Sequence, residues 1–223
     1  MVTAATLRRF LGDCGVVPER LERLDVLERL FADLRAANER ANLTRLTDAE
    51  SFWNQHVADS LLVGRVCREV LVQALTLADV GCGAGFPLLP LAWANPRLTV
   101  VGIEPRRKRA AFVAAEAEAL GLDNVSVVAL QAREAARREA HRHACDIVCL
   151  RAVGAAGRLI RDCRNLLRPT TGAKLIFYKT PDGAASELPA ARREAAKYDL
   201  AARLSPVLSL PDGQARQFIV LER

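Results

Sequence analysis

The stretch Ala78-Asp79-Val80-Gly81-Cys82-Gly83-Ala84-Gly85-Phe86 decides the fold of this 223-residue chain. It joins an apolar run over residues 75–80, which predicts a buried strand, to a turn with glycine at every second position. Glycine adopts positive φ angles without steric cost, so this backbone can turn tightly and approach a ligand closely. Pro87 then suits the first turn of a helix with an apolar face. The order strand, glycine turn and helix predicts a site for a nucleotide-like cofactor.

The residues around the turn narrow the choice of cofactor. Glu104 follows the next apolar run, where a carboxylate can accept both hydroxyls of a ribose. Phe86 stands where the dinucleotide fingerprint G-x-G-x-x-G has its third glycine. Asp79 disfavours the phosphates of a dinucleotide and favours a cofactor with a cationic amino acid end, such as S-adenosylmethionine. The alternatives are a dinucleotide such as NAD, or glycines that serve packing alone.

Strands and helices alternate after residue 75. Apolar runs predict strands over residues 75–80, 98–103, 125–130, 145–150 and 173–179, and two more, 200–208 and 216–221, flank a Pro-Asp-Gly turn. Amphipathic helices are predicted over residues 18–40 and 47–66.

This layout predicts an α/β fold: the Rossmann-like sheet of class I S-adenosylmethionine-dependent methyltransferases, closed by a C-terminal antiparallel hairpin. We expect an N-terminal helical extension over residues 1–70 and a cofactor-binding domain over residues 71–223. A dehydrogenase would more often add a substrate domain.

Composition excludes several classes of protein. No apolar run approaches the length of a membrane span and no signal peptide is evident, so we expect a cytoplasmic protein without membrane contact. The six cysteines form no C-x-x-C pair, which predicts buried thiols rather than a disulfide or zinc framework. His56, His141 and His143 lack partners at metal-ligand spacing, so we expect no metal.

The net charge of +6 is concentrated in three basic clusters. Cations in the first turn of a helix oppose its dipole, so a polyanion is the simplest reason for the first cluster. Three clusters around one sheet favour RNA or DNA as a partner, although each by itself also fits a solvated face. The clusters are Arg106, Arg107, Lys108 and Arg109; Arg133, Arg137, Arg138, His141, Arg142 and His143; and Arg158, Arg161, Arg164 and Arg168.

A set of ordered motifs extends over about residues 20–221. The motifs are Asn42-Leu43-Thr44, His56-x-x-Asp59-Ser60-Leu61, residues 79–87, Lys108-Arg109, Leu120-Gly121-Leu122-x-Asn124-Val125, Asp146-x-Val148-x-x-Arg151-Ala152 and Lys179. Together they resemble the guanine-N7 methyltransferases of bacterial small-subunit (16S) ribosomal RNA, a family first named glucose-inhibited division protein B. The resemblance implies a ribosomal RNA or small-subunit particle as substrate, and we expect a monomer.

The resemblance also implies roles for individual residues. It places Gly81 and Phe86 against S-adenosylmethionine and Glu104 on its ribose. Ala132 and Arg133 match a pair that flanks the adenine. The expected cofactor site also includes Arg151 and three residues of the glycine turn, Asp79, Gly83 and Gly85.

Three residues are candidates for the chemistry. Arg151 matches a cofactor-contacting arginine that faces the catalytic pocket. Guanine N7 bears a lone pair and no proton, so no general base is needed and Arg151 or Lys179 would hold the O6 edge or a phosphate. His56 and Asp59, three apart on one helical face, are expected to pair and brace the pocket.

Four positions depart from the family pattern: Ala41, Gln55, Arg133 and Thr180. The last two border the expected pocket, so a divergent member acting on another RNA site stays open. An NAD-dependent oxidoreductase and an RNA-binding protein without catalysis are the alternatives from other classes.

Overall fold

A computed structural model of the chain describes residues 3–41, 43–44 and 48–223. Asn42 of the first motif and the predicted helix start at Thr47 lie outside the described residues, as does the side chain of Ala41.

A twisted sheet forms the centre of the molecule, with strand order β3-β2-β1-β4-β5-β8-β6 and the short β7 paired to β8. Strands β1 to β5 are parallel, and β8 runs antiparallel to its three partners, β5, β6 and β7. The five predicted parallel strands and the antiparallel C-terminal hairpin are therefore confirmed. The single strand predicted over residues 200–208 is wrong, because the chain forms β6 and β7 with a break at Pro206, which has no amide hydrogen to donate to the sheet. The strands are β1 (Thr76–Val80), β2 (Thr99–Ile103), β3 (Val125–Val128), β4 (Ile147–Arg151), β5 (Lys174–Lys179), β6 (Ala201–Leu204), β7 (Leu208–Ser209) and β8 (Ala215–Glu222).

Helices cover both faces of the sheet, as parallel strands buried on both sides require. Their bounds are α1 (Ala4–Cys14), α2 (Pro18–Leu21), α3 (Asp25–Ala41), α4 (Ala49–Ser51), α5 (Asp59–Leu61), α6 (Glu69–Val72), α7 (Leu88–Ala94), α8 (Arg107–Ala119), α9 (Ala132–Ala135), α10 (Ala156–Cys163) and α11 (Pro181–Ala195). A π-helix, Phe52–Ala58, joins α4 to α5, and 3-10 turns follow α5, α10 and α11.

The apolar core has one layer on each face of the sheet. Alternate strand residues point to opposite sides, so Leu77 and Cys149 pack in one layer and Ala78 and Val148 in the other. The first layer is shared with the N-terminal helices, α7 and α8, and the second with α10 and α11. The N-terminal helices thus contact the sheet through a continuous apolar core. The division at residues 70 and 71 stays a prediction.

The helix predicted over residues 18–40 is wrong in one respect, because the chain forms two helices, α2 and α3. Two backbone carbonyls at the break accept hydrogen bonds from distant side chains. Arg8 donates to the Leu21 carbonyl, and the indole of Trp93 donates to the Arg23 carbonyl. These contacts compete with the regular helical hydrogen bonds, and a local apolar pattern cannot reveal them.

Candidate active site

The glycine turn leaves β1 in the conformation that the sequence predicted. Gly81, Gly83 and Gly85 have φ angles of 74°, 56° and 95°, which favour glycine. A Cβ at Gly81 would lie 2.3 Å from Cγ1 of Val153, whereas the nearest atom to one at Gly83 is 3.7 Å away. The turn therefore brings bare backbone to the carboxyl edge of the sheet.

Glu104 fixes the neighbouring loop to this turn. It follows β2 and is almost fully buried, with its Oε2 accepting from the Gly83 amide and its Oε1 from the Arg106 amide, each at 3.0 Å. Because β1 and β2 are adjacent and parallel, their ends meet at the same edge. The carboxylate predicted for the ribose thus lies directly beside the glycine turn.

Asp79 lies beneath the turn and is fully buried. Its Oδ2 accepts from the Leu88 amide at 3.1 Å, and its Oδ1 has no hydrogen-bond partner in the part of the chain that the structure describes. Burial raises the pKa of this carboxyl from 3.8 to about 7. A buried carboxylate oxygen without a donor favours a cation nearby.

These elements surround an open cavity of about 340 Å³ at the carboxyl edge. The cavity brings together Gly81, Gly83, Phe86, Glu104, His56 and Arg151 of the predicted site residues. The other wall residues are Leu43, Thr44, Cys82, Ala84, Pro105, Arg106, Arg109, Ala152 and Val153. Ligands bind at this edge in open α/β sheets, so this cavity is the candidate active site.

Arg151 ends β4 at the cavity and is held by several groups at once. Its Nε lies 2.9 Å from Oδ2 of Asp59, and one terminal nitrogen donates to the Gln55 carbonyl at 2.6 Å. The other carboxylate oxygen of Asp59 lies 2.8 Å from Nε of Arg216 on β8. One buried carboxylate therefore holds two guanidinium groups, which fixes the direction in which Arg151 points.

His56 forms part of the cavity wall from the π-helix. Its ring stacks on Phe86 with the centroids 4.2 Å apart, and its Nε2 lies 3.1 Å from Oγ1 of Thr44. Burial, with the nearby charge of Arg151 as a second cause, lowers the pKa of His56 from 6.5 to about 3. The imidazole is therefore neutral at physiological pH.

The predicted pairing of His56 with Asp59 is wrong. Asp59 binds Arg151 and Arg216, while Nδ1 of His56 lies 3.5 Å from a terminal nitrogen of Arg151. The i→i+5 hydrogen bonds of a π-helix widen its turn, so residues three apart no longer lie one above the other. Arg151 connects the two side chains instead.

Five predicted residues lie outside the cavity wall, and two of them, Asp79 and Gly85, belong to the end of β1 and to the glycine turn. Lys179, at the end of β5, donates to Oε1 of Glu187 at 2.7 Å and to the Gly154 carbonyl at 3.3 Å. Ala132 and Arg133 begin α9 after β3 and line a neighbouring cleft. The structure therefore places Lys179 and the expected adenine pair beside the cavity rather than within its wall.

Two residues of this region escaped the sequence interpretation. Arg216 binds Asp59 across 157 positions of the chain, and Glu187 both pairs with Lys179 and accepts from the Ala156 amide at the start of α10. A charged residue at the start of a strand or within a helix gives no local signal of such a contact.

The structure separates the arginines of the basic clusters into those that make contacts within the fold and those that line the cavity. Arg164 lies over the Tyr198 ring and Arg168 pairs with Asp146 at 2.7 Å, so both belong to the fold. Arg106 and Arg109 line the cavity and make no ion pair among the residues described. These two arginines thus place positive charge in the cavity wall, without an acidic partner in the same part of the chain.

The cavity fits S-adenosylmethionine. Bare glycine backbone, the carboxylate of Glu104 beside it and the unsatisfied carboxylate oxygen of Asp79 suit a cofactor with a ribose and a cationic amino acid end. The overall fold is similar to the crystal structure of an S-adenosylmethionine-dependent methyltransferase from Aquifex aeolicus, with a TM-score of 0.59, 16% identity and coverage of 81% of this chain and 96% of that one. The fold and site define a class I S-adenosylmethionine-dependent methyltransferase.

The family follows from the sequence comparisons. The rRNA small subunit methyltransferase G family matches residues 23–210. The ribosomal RNA small subunit methyltransferase G of Deinococcus radiodurans is 37% identical over 222 residues, covering 97% of this chain and 83% of that protein. The protein of the same name from Gloeobacter violaceus is 41% identical over 144 residues, which span 65% of this chain and 56% of its own length. The chain belongs to the rRNA small subunit methyltransferase G family.

Two further findings concern membrane spans and metal ligands. Across the parts of the chain that the structure describes, no helix is long and apolar enough to cross a membrane. Within the same ranges, no three His, Cys, Asp or Glu side chains group as metal ligands.

Proposed function

We propose that this protein transfers a methyl group from S-adenosylmethionine to N7 of a guanine in 16S ribosomal RNA. The observation that carries the proposal is the cavity at the carboxyl edge, where the glycine turn, Glu104 and Arg151 meet in a chain of this family. A naked RNA or an assembling small-subunit particle is the proposed substrate, acted on by a cytoplasmic monomer.

Each part of the cavity has a proposed role toward the cofactor. The backbone of Gly81, Gly83 and Gly85 would accommodate its amino acid end. The ammonium of the cofactor would favour the ionised form of the Asp79 carboxyl below the turn, and the two charges would then attract each other. Glu104 would accept the ribose hydroxyls, and Phe86 would close one side. Ala132 and Arg133 would flank the adenine from the adjoining cleft. The bound cofactor supplies an electrophilic methyl group on a sulfonium.

The protein itself has little proton chemistry to perform. The lone pair of guanine N7 is available without removal of a proton, so catalysis depends on alignment. Arg151, held by Asp59 and by the Gln55 carbonyl, presents a fixed cation that would hold the O6 edge of the base or a phosphate. Such a fixed charge also opposes protonation of N7, which would block the attack.

His56 would act as a neutral wall of the pocket. Its low pKa of about 3 keeps a second positive charge away from the sulfonium, and its stacking on Phe86 restricts the ring. A direct contact between Lys179 and the RNA is also proposed, because Lys179 ends the strand beside Arg151.

The experiment that tests this function is methyl transfer from labelled cofactor to 16S ribosomal RNA and to small-subunit particles, followed by mapping of the modified base. Label on guanine N7 supports the proposal. Label on another RNA site indicates a divergent member of the family, and cofactor binding without transfer indicates a binding protein. Thermal stabilisation by NAD but not by S-adenosylhomocysteine would contradict the cofactor assignment.

A further inference from the structure

A second cleft, of about 380 Å³, lies between the start of α9 and the outer face of α10. We call it the arginine cleft, since three of its six wall residues are arginine and one is acidic. The wall consists of Gln131, Ala132, Arg133, Arg158, Arg161 and Asp162.

The fold makes little use of these arginines. Arg133 and Arg158 are exposed and make no ion pair within the described ranges. Nε of Arg161 lies 3.7 Å from a Glu194 oxygen, but Glu194 also binds Lys197 at 2.8 Å. Because the Arg161 side chain is exposed and this distance is long, the pair contributes little. All three guanidinium groups are therefore accessible to an anion.

Helix α10 directs its arginines outward. Ala156, Ile160 and Cys163 pack into the core, so Arg158 and Arg161, one turn apart, lie on the opposite face. The start of α10 already has a carboxylate, because the Ala156 amide donates to Oε2 of Glu187 at 2.7 Å. The exposed guanidinium groups, and not the helix N-terminus, therefore make this surface attractive to an anion.

The arginine cleft adjoins the candidate active site. One wall follows β3 and the other follows β4, whose last residue, Arg151, lines the cavity. Since β3 and β4 belong to one parallel sheet, both walls begin at its carboxyl edge. The cleft and the cavity therefore lie along the same edge of one sheet, so a single RNA strand that follows this edge would contact both.

We propose that the arginine cleft binds backbone phosphates of the RNA whose base enters the cavity. Guanidinium groups bind phosphate oxygens through paired, charge-assisted hydrogen bonds, and a row of them suits a polyanion. The proposal rests on the proposed function and adds the surface that holds the RNA. Ala132 and Arg133 also have an expected role toward the adenine. A change at Arg158 and Arg161 alone therefore tests RNA binding without altering that pair.

The test compares the Arg158→Gln/Arg161→Gln variant with the wild-type protein. Binding of a 16S ribosomal RNA transcript is measured over a series of salt concentrations, and S-adenosylhomocysteine binding is measured by calorimetry without RNA. We expect RNA affinity to fall about tenfold near 0.1 M salt, and the slope of log affinity against log salt to decrease by about 1 to 2. Affinity for S-adenosylhomocysteine should not change.

Two control variants accompany this measurement. Arg9→Gln/Arg68→Gln removes the same charge from exposed positions on the N-terminal helices and should leave the salt slope unchanged. Arg158→Lys/Arg161→Lys keeps the charge and should recover most of the salt slope, because that slope counts charges rather than hydrogen-bond geometry.

An unchanged salt slope in the glutamine variant would overturn the proposal. Weaker S-adenosylhomocysteine binding with unchanged RNA binding would also overturn it and assign the cleft to the cofactor. If the wild type binds the RNA but leaves it unmethylated while the variant loses slope, the proposed function fails and the arginine cleft stands. If the wild type and the glutamine variant both methylate the RNA and have equal salt slopes, the proposed function stands and only the role of the arginine cleft is refuted.

Discussion

The Nε atom of Arg151 lies 2.9 Å from Oδ2 of Asp59, and this pair joins the end of β4 to the helices that precede the sheet. Asp59 also binds Arg216, so one buried carboxylate connects the N-terminal helices, the central strands and the C-terminal hairpin. The direction in which Arg151 points into the cavity thus depends on residues from three distant parts of the chain.

Replacing Asp59 by asparagine should destabilise the fold and misplace Arg151. Two mostly buried guanidinium groups would lose their counter-charge, which costs about 3 kcal/mol in the free energy of unfolding. Denaturant unfolding measures the loss. The exposed Asp123→Asn change serves as the control and should have little effect. A loss below about 1 kcal/mol for Asp59→Asn would contradict the inferred role of this carboxylate.

Arg151→Lys should lower methyl transfer far more than it lowers stability. Lysine keeps the charge but cannot contact Asp59 and the Gln55 carbonyl with the geometry of a guanidinium, so the cation is displaced. We expect labelled methyl transfer to fall about 100-fold. Arg203→Lys, at the exposed pair with Glu222, is the matched control. Unchanged turnover would remove Arg151 from the mechanism.

Gly81→Ala should abolish cofactor binding. Its new methyl group would lie 2.3 Å from Val153 Cγ1 at a positive φ, so the turn must move. Gly121→Ala has a similar φ of 66° and nothing within 4 Å of the new Cβ. Both changes cost about 1 kcal/mol of backbone strain, but only the first should weaken S-adenosylhomocysteine binding in a calorimetric titration. Equal affinities would place the cofactor elsewhere.

The buried imidazole of His56 should make stability depend on pH. Its pKa is about 3 in the folded protein, against an ordinary value of 6.5, so the unfolded chain binds a proton first as the pH falls. The contribution of the neutral imidazole to the free energy of unfolding is therefore fully present above pH 6.5, and it is lost as the pH falls from 6.5 to about 3. His56→Gln should remove about 2 kcal/mol of the difference between the unfolding free energies at pH 7 and pH 5. A variant with the same pH dependence as the wild type would show that His56 titrates normally.

Lys179→Met should lower methyl transfer about tenfold if Lys179 contacts the RNA. Lys174→Met is the matched control, because Lys174 lies at the other end of β5, pairs with Glu69 and has the same side-chain exposure of 15%. Both changes remove the lysine partner of one glutamate, so their effects on stability should be similar. Equal transfer rates for the two variants would contradict the proposed contact.

Much of the fold follows from local patterns. Apolar runs predict every long strand, and the Pro-Asp-Gly turn predicts the terminal hairpin. The helix over residues 18–40 is predicted without its break, because Arg8 and Trp93 take carbonyls there from distant positions. Periodicity describes which face of a segment is apolar, but it contains no information on a side chain that arrives from another segment.

The candidate site also has features that local sequence predicts and features that it does not. The glycine turn and Glu104 are predictable because strand, turn and acid form one βαβ unit whose geometry is local. The predicted pairing of His56 with Asp59 is wrong, because a π-helix replaces the regular turn and Arg151 supplies a stronger partner for the carboxylate.

The sequence by itself determined the parallel sheet, the glycine turn, its acidic neighbours and the family. Each depends on residue types at short spacing, where backbone sterics and hydrogen bonding act locally. Only the tertiary structure decided that Arg216 and Arg151 share Asp59, that Lys179 turns to Glu187, and that the arginines of α9 and α10 line one cleft. Those relationships depend on the fold that brings distant parts of the chain together, because charges interact through space and not along the sequence.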